Sequence, residues 1–162
     1  MGRAVGRWSA IDTGLDMEPY LVTGRISRIA THVARRQEEV FGRYGLNRGD
    51  VGVLGALRTA GPPHRLSPTQ LLKGLMLSSA GMTGRLDRLE ERGLVERHRD
   101  PGDRRAVLVE LTEKGRELVD AAVAANTRAE RGLLDGLGER EAKSLARLLQ
   151  RLLARLEDPS GA

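Results

Sequence analysis

Cysteine is absent from the 162 residues, which excludes disulfides, thiolate metal sites and thiol-based redox sensing. Aromatic residues make up only 2%, too few for the stacking platforms on which single-strand and RNA binders hold bases. No apolar run approaches the ~18 residues of a membrane span. The opening MGRAVGRWSAIDTG has no apolar core like that of a secretory signal, so a cytoplasmic protein without a membrane partner is expected. His32, His64 and His98 stand far apart without metal-ligand spacing, and neither a metal nor a cofactor is expected. Gly49, Gly52 and Gly55 lack the Gly-x-Gly-x-x-Gly spacing of a phosphate loop, and no motif assembles acid, base and nucleophile. An enzyme is not expected.

What is present is a globular composition, 40% hydrophobic and 30% charged, with a formal charge of +5. A basic balance favours polyanionic partners. Of the 27 basic residues, 24 are arginine, whose planar fork suits phosphates and base edges. A GC-rich coding bias produces the same excess beside abundant Ala, Gly and Leu, and composition leaves both causes open.

The spacing predicts one long amphipathic helix over 19–44, with Val22, Ile26, Ile29, Val33, Val40 and Tyr44 recurring at threes and fours before Gly45. Asn47 caps a second helix to about Ala60, with Asp50 at its third position and Leu46 and Val51 as the hydrophobic staple. The interior glycines Gly52 and Gly55 each cost roughly 1 kcal/mol against Ala, so they are expected to serve close packing or to make room for something. Gly61-Pro62-Pro63 is a break. Ser67-Pro68-Thr69-Gln70, between Leu66 and Leu71, is a complete capping box opening a short helix to about Gly74. Ser78 caps the next helix and Gly93 closes it. Two capped helices joined by a short turn form a helix-turn-helix pattern. Strands are expected over 94–99 and 106–111 around a Pro-Gly turn, with room for a short strand near 64–66, then helices over 112–134 and 139–157.

At about 100° per residue, Met82, Leu86 and Leu89 fall on one face of the 78–93 helix. Ala80, Gly84, Arg88 and Glu91 face away. That small outward surface lets the helix sit deep in a major groove, with Arg88 available to phosphate or guanine. Ser78 and Ser79 suit a phosphate at the helix start; Thr83 and Gly84 complete the reading face. Ser67, Thr69 and Gln70, at the start of the preceding helix, are further candidate DNA contacts. Arg104 and Arg105 at the wing tip are placed to enter a minor groove, with Asp103 orienting them by a salt bridge. Arg85 lies on the flank near the core: it either pairs with a carboxylate or points into a cavity beside the reading head.

Asp103-Arg104-Arg105-Ala106-Val107-Leu108-Val109-Glu110-Leu111-Thr112 followed by Gly115 resembles the wing signature of the MarR family of transcriptional regulators. The stretch from Leu77 to Arg97 resembles that family's recognition helix and first wing strand, and the order of elements fits throughout the chain. The resemblance implies a mainly α winged helix-turn-helix with a small β wing, in the order α-α-α-α-β-β-α-α, and a homodimer interlocked through its first and last two helices. The implied organisation is an N-terminal segment and dimerisation helix over 1–45, a winged DNA-binding domain over 46–112, and dimerisation helices over 113–162. Its implied function is a repressor on a palindromic double-stranded operator, with recognition helices about 34 Å apart. The alternative is a constitutive architectural DNA binder without an effector.

Trp8, Leu15-Asp16-Met17-Glu18-Pro19 and Gly24-Arg25-Ile26 resemble the urate-responsive, PecS-like subgroup. That likeness implies a small anionic organic ligand held by Trp8, Arg85 and Arg97, although Trp8 equally suits a core anchor. The subgroup's effector aspartate aligns with Gly52, so the expectation is two guanidinium groups left uncompensated and a ligand other than urate, such as a polycarboxylate or a phenolic acid.

Overall fold

The computed structural model describes residues 16, 18–75, 79–99, 102 and 106–158, with only the backbone of residues 74, 75, 79 and 80. Trp8, Ser78, Asp103, Arg104 and Arg105 therefore lie outside the described residues. The chain divides into two compact units, Met1–Asn126 and Thr127–Ala162. Among the described residues, no helix is long and apolar enough to cross a membrane.

The order is α1 Glu18–Gly42, α2 Arg48–Thr59, β1 Arg65–Leu66, α3 Pro68–Leu75, α4 Ser79–Glu91, β2 Val95–Arg99, β3 Val107–Leu111, α5 Glu113–Leu133 and α6 Glu139–Glu157. The sheet is antiparallel in the order β1-β3-β2. β1 is the short strand anticipated near 64–66; Arg65 pairs with Glu110 and Leu66 with Val109. β2 and β3 run from Val95 opposite Leu111 to Arg99 opposite Val107. This is the winged helix-turn-helix expected from the sequence, mainly helical with a small β wing.

Local chemistry accounts for the boundaries. α1 ends two residues earlier than its periodicity predicts, because Gly45 adopts a left-handed conformation (φ 66). Leu46 N then reaches Phe41 O at 3.0 Å and Gly45 N reaches Gly42 O at 3.0 Å, the paired bonds of a Schellman stop. Gly93 (φ 67) closes α4 in the same way, with Leu94 N to Leu89 O at 2.9 Å and Gly93 N to Glu90 O at 2.8 Å. The Ser67–Gln70 capping box forms in full: Ser67 N donates to Gln70 Oε1 at 2.8 Å and Gln70 N to Ser67 Oγ at 3.2 Å. Thr112 caps α5 by accepting from Gly115 N at 3.0 Å, while its hydroxyl donates to Gly93 O at 2.9 Å. One threonine thus fixes the end of the reading head to the start of α5.

The core of the first unit lies inside the winged region. Val53, Leu54 and Leu57 of α2, Leu71 of α3, Met82, Leu86 and Leu89 of α4, and Leu94, Val95 and Val109 of the wing are buried. Val119 and Ala122 of α5 are buried too. Burial of a single such side chain is worth roughly 1.5–3 kcal/mol, so this cluster holds the three short helices and the sheet as one body. In β3, Val109 and Leu111 turn inward, but Val107 at the hairpin end is exposed. The alternation read from sequence is correct there, and the core stops short of its last member. The apolar stripes of α1 and α6 behave differently. Tyr20, Val22, Ile26 and Ile29, and every leucine from Leu145 to Leu156, are exposed in the single chain.

Gly115 and Gly84 make opposite uses of a missing side chain. A Cβ on Gly115 would fall on the Leu94 carbonyl oxygen, whereas one on Gly84 would meet nothing within 4 Å. Gly115→Ala is expected to lower the unfolding free energy by about 1–3 kcal/mol through overpacking. Gly84→Ala should leave it unchanged or raise it by up to about 1 kcal/mol. Urea denaturation of the two variants beside the parent checks the contrast.

Candidate nucleic-acid interface and anion site

α4 presents two chemically distinct faces. Met82, Leu86 and Leu89 are buried, while Thr83, Gly84 and Arg88 are on the outside. The open space over Gly84 leaves that face low and unobstructed, as close approach to base edges requires. At the start of α3, Thr69 and Gln70 are exposed and Ser67 is half-buried. Ser67 Oγ and Gln70 Oε1 are engaged in their capping box, so these two residues hold the helix end. Ser79 belongs to the first turn of α4, where backbone amides lack intrahelical acceptors.

Behind this face lies a cluster of charge. Asp50 is 4% exposed and sits at the third position of α2, in a capping box with Asn47. Asp50 N donates to Asn47 Oδ1 at 2.9 Å, and Asn47 N donates to Asp50 Oδ2 at 3.1 Å. The other carboxylate oxygen, Oδ1, accepts Arg85 Nη1 at 2.8 Å and Arg88 Nη2 at 3.1 Å. Arg85 Nη1 also donates to Asn47 Oδ1 at 2.9 Å. Two cations of α4 therefore share one buried carboxylate at the mouth of α2. The Nε of Arg85 is buried and meets no acceptor among the described residues.

Of the two fates left open for Arg85, the structure shows the pairing with a carboxylate. It also corrects the expectation that a missing aspartate leaves two guanidinium groups uncompensated. The carboxylate facing Arg85 is Asp50, two residues before the glycine on which the motif alignment fell. Arg97 is compensated as well: Nη1 donates to Glu90 Oε2 at 2.8 Å, Nη2 to Asp87 Oδ1 at 2.6 Å, and its backbone N to Glu90 Oε1 at 3.2 Å. Among the described residues Arg85 and Arg97 share no partner; one ties α4 to α2 and the other ties β2 to α4. Arg88 departs from its simple outward assignment in that its tip reaches back to Asp50, although 57% of the side chain is exposed.

Asn47, Gly49 and Asp50 are the residues that sequence reasoning missed as members of this cluster. Their visible signal was the capping box, which is local; the arginines they meet lie 35 or more residues downstream. On the far side of the sheet, Glu110 Oε2 receives Arg65 at 2.7 Å and lies 2.9 Å from His98 Nε2, joining β1, β3 and β2. Gly55, where an added Cβ would meet nothing within 4 Å, lines an open cleft of about 610 Å³ with Arg58, Thr59, Val119, Asp120, Val123 and Ala124. Arg58 and Asp120 pair across it at 3.0 Å.

The MarR family model matches residues 44–106. Over 148 residues the chain is 36% identical to the HTH-type transcriptional regulator PecS of Dickeya dadantii, covering 91% of this chain and 89% of that protein. It is similar in structure to Sco3205, a MarR family transcriptional regulator from Streptomyces coelicolor solved in complex with DNA. That likeness has a TM-score of 0.77 at 26% identity and covers 90% of this chain and 91% of that one. It is also similar to BpsR of Bordetella bronchiseptica, whose DNA binding is regulated by 6-hydroxynicotinic acid, at a TM-score of 0.70 and 28% identity over 81% of this chain and 91% of that one.

Asp50→Asn keeps the shape of the cap but removes the charge that two arginines share. It is expected to destabilise the protein by about 3 kcal/mol, the usual cost of leaving a buried charge without its partner. Arg88→Ala, at a half-exposed pair, should cost under about 1 kcal/mol. It should nevertheless weaken binding to any duplex and reduce the slope of log affinity against log salt by roughly one. Chemical denaturation and a salt titration of DNA binding by fluorescence anisotropy check these two outcomes.

Proposed function

The chain belongs to the MarR family of transcriptional regulators, and from that premise we propose that it is a homodimeric repressor released from a palindromic operator by a small organic anion. The observation that carries the release mechanism is the imbalance behind the reading helix: Arg85 and Arg88 share the carboxylate of Asp50, and among the described residues Arg85 Nε lacks an acceptor. A buried donor without a partner costs roughly 1–3 kcal/mol, and a surplus cation adds a local field favouring anions.

An anion whose oxygens meet Arg85 competes with Asp50 for the same guanidinium. Because Arg85 stands on α4, that competition loosens the tie between α4 and α2. The wing follows, because Arg97 on β2 is fastened to Asp87 and Glu90 of the same helix. A ligand shifts the equilibrium only through contacts that differ between the two states, and the exchange of carboxylate for ligand at Arg85 is such a difference. Trp8 and Arg97 are proposed to complete the ligand's surroundings. The regulation of BpsR by an aromatic carboxylic acid supports an organic anion as the class.

On DNA, Thr83, Gly84 and Arg88 are proposed to face the major groove with Ser78 and Ser79 at the phosphate. Ser67, Thr69 and Gln70 abut the backbone, and Arg104 and Arg105, oriented by Asp103, enter the flanking minor groove. Dimerisation is supported by the apolar faces that α1 and α6 each expose: Leu148 is 53% and Leu153 54% accessible, and leucines at helical spacing are more economically buried by a second copy. The domain division expected from the sequence, with α1 and the last two helices as dimerisation elements around the winged domain, belongs to this proposal.

A duplex selected from a random library by the wild-type protein gives the probe. An organic anion that releases this duplex should also raise the melting temperature of the free protein, since a ligand that binds the folded state stabilises it, while the corresponding amides do neither. A panel of aromatic carboxylates in which none releases the duplex counts against the anion. Affinity equal for selected and scrambled duplexes counts against a sequence-specific repressor. For the dimer, Leu149→Glu with Leu152→Glu should halve the mass seen by light scattering and abolish tight operator binding.

A further inference from the structure

We infer that Asn47 and Gly49 are positioning residues for DNA recognition: the cap of α2 is shaped as a seat for the Arg85 guanidinium, and that seat sets how α4 is presented to the groove. This rests on α4 being the DNA-reading helix and does not depend on any ligand.

Gly49 carries the first part of the argument. Glycine in a helix costs roughly 1 kcal/mol against alanine, so a glycine in the first turn of α2 needs a reason. Its backbone supplies none, because its φ is not among the positive values of Gly45, Gly61 and Gly93. The space around it does. The three nearest atoms to a Cβ built on Gly49 are all of the Arg85 guanidinium, and the Cβ would fall on top of them. The missing side chain is therefore the floor of the Arg85 site.

Asn47 carries the second part. Its Oδ1 accepts both Asp50 N at 2.9 Å and Arg85 Nη1 at 2.9 Å. The first bond is ordinary capping; the second turns the cap into a wall of the seat. Asp50 Oδ1 accepts from the same Nη1 at 2.8 Å. A planar guanidinium whose one terminal nitrogen meets two such acceptors has a defined orientation. Arg85 lies between the buried Leu86 and Met82 and the exposed Gly84 of α4, so fixing its tip fixes the rotation of α4 about its own axis. The backbone packing of α4 is against β2 and α3, and its polar ties to α2 are the Arg85 seat and the Arg88–Asp50 bond.

The clash made by a Cβ at Gly49 is with the far end of a flexible side chain, so Gly49→Ala displaces Arg85 without disrupting backbone. Asn47→Ser keeps a good cap but its shorter hydroxyl does not reach Arg85. Asn47→Asp keeps both the cap and the acceptor. Gly55→Ala, on the same helix in open space, controls for helix propensity.

The test measures melting temperature and affinity for the selected duplex and a scrambled duplex, using the full chain. Gly49→Ala and Asn47→Ser are expected to lose about tenfold on the selected duplex, comparable to one mismatched base pair, with no loss on the scrambled duplex and, for Asn47→Ser, which keeps the Arg85–Asp50 pair, no fall in melting temperature. Asn47→Asp and Gly55→Ala should match the parent. Selected-duplex affinity at the parent's level in both Gly49→Ala and Asn47→Ser overturns the inference. So does a parallel fall in melting temperature and in affinity for both duplexes, which marks a merely structural role. If Gly49→Ala fails to fold, the comparison of Asn47→Ser with Asn47→Asp decides. A parent that selects no duplex overturns the DNA reading of α4 and the inference with it.

Discussion

The buried carboxylate of Asp50 is the interaction on which the geometry of the reading head depends. One oxygen closes the cap of α2 and the other holds two arginines of α4. A carboxylate removed from water is tolerable only when its lone pairs are occupied, and here every occupant has a structural consequence. The capping bond fixes where α2 begins. The Arg85 bond fixes where α4 lies against it. The Arg88 bond draws a cation of the outer surface back over the helix edge.

Two further ties extend this clamp across the domain. Arg97 bridges to Asp87 and Glu90, so the first wing strand travels with α4. Thr112 joins the glycine stop after α4 to the cap of α5, so the wing's second strand and the long helix share an origin. The reading helix is consequently held by polar bonds at its flanks and by Met82, Leu86 and Leu89 beneath. Apolar packing sets its depth, and charge sets its rotation. Of the two, only the charged ties can be contested by a competing charge, and it is on these that the proposed control of recognition rests.

Local signals made most of the architecture legible before the structure. Ser67-Pro68-Thr69-Gln70 marks a helix start because its bonds lie within four residues, and Gly93 marks a stop because a left-handed turn excludes most side chains. The face of α4 followed from periodicity alone. What could not be read were relations across the chain. Asp50 was legible as a cap but not as the partner of Arg85, because no local rule specifies which helix start a flank arginine will meet. Motif alignment put the missing carboxylate at Gly52, whereas the carboxylate that meets Arg85 stands at Asp50, a capping position of the same helix. The value of Gly49 was hidden for the same reason: only the arginine lying over it explains its lack of a side chain.

Asp50 and Arg85 couple the two helices, and a double-mutant cycle measures this coupling directly. Asp50→Asn, Arg85→Gln and the double variant would be compared in unfolding free energy and in affinity for the selected duplex. The account predicts a coupling energy of about 1 kcal/mol or more in both quantities, as expected for contacting charged groups. Additive effects within about 0.3 kcal/mol in both would contradict it, leaving the two residues as independent contributors and the clamp without a role in recognition.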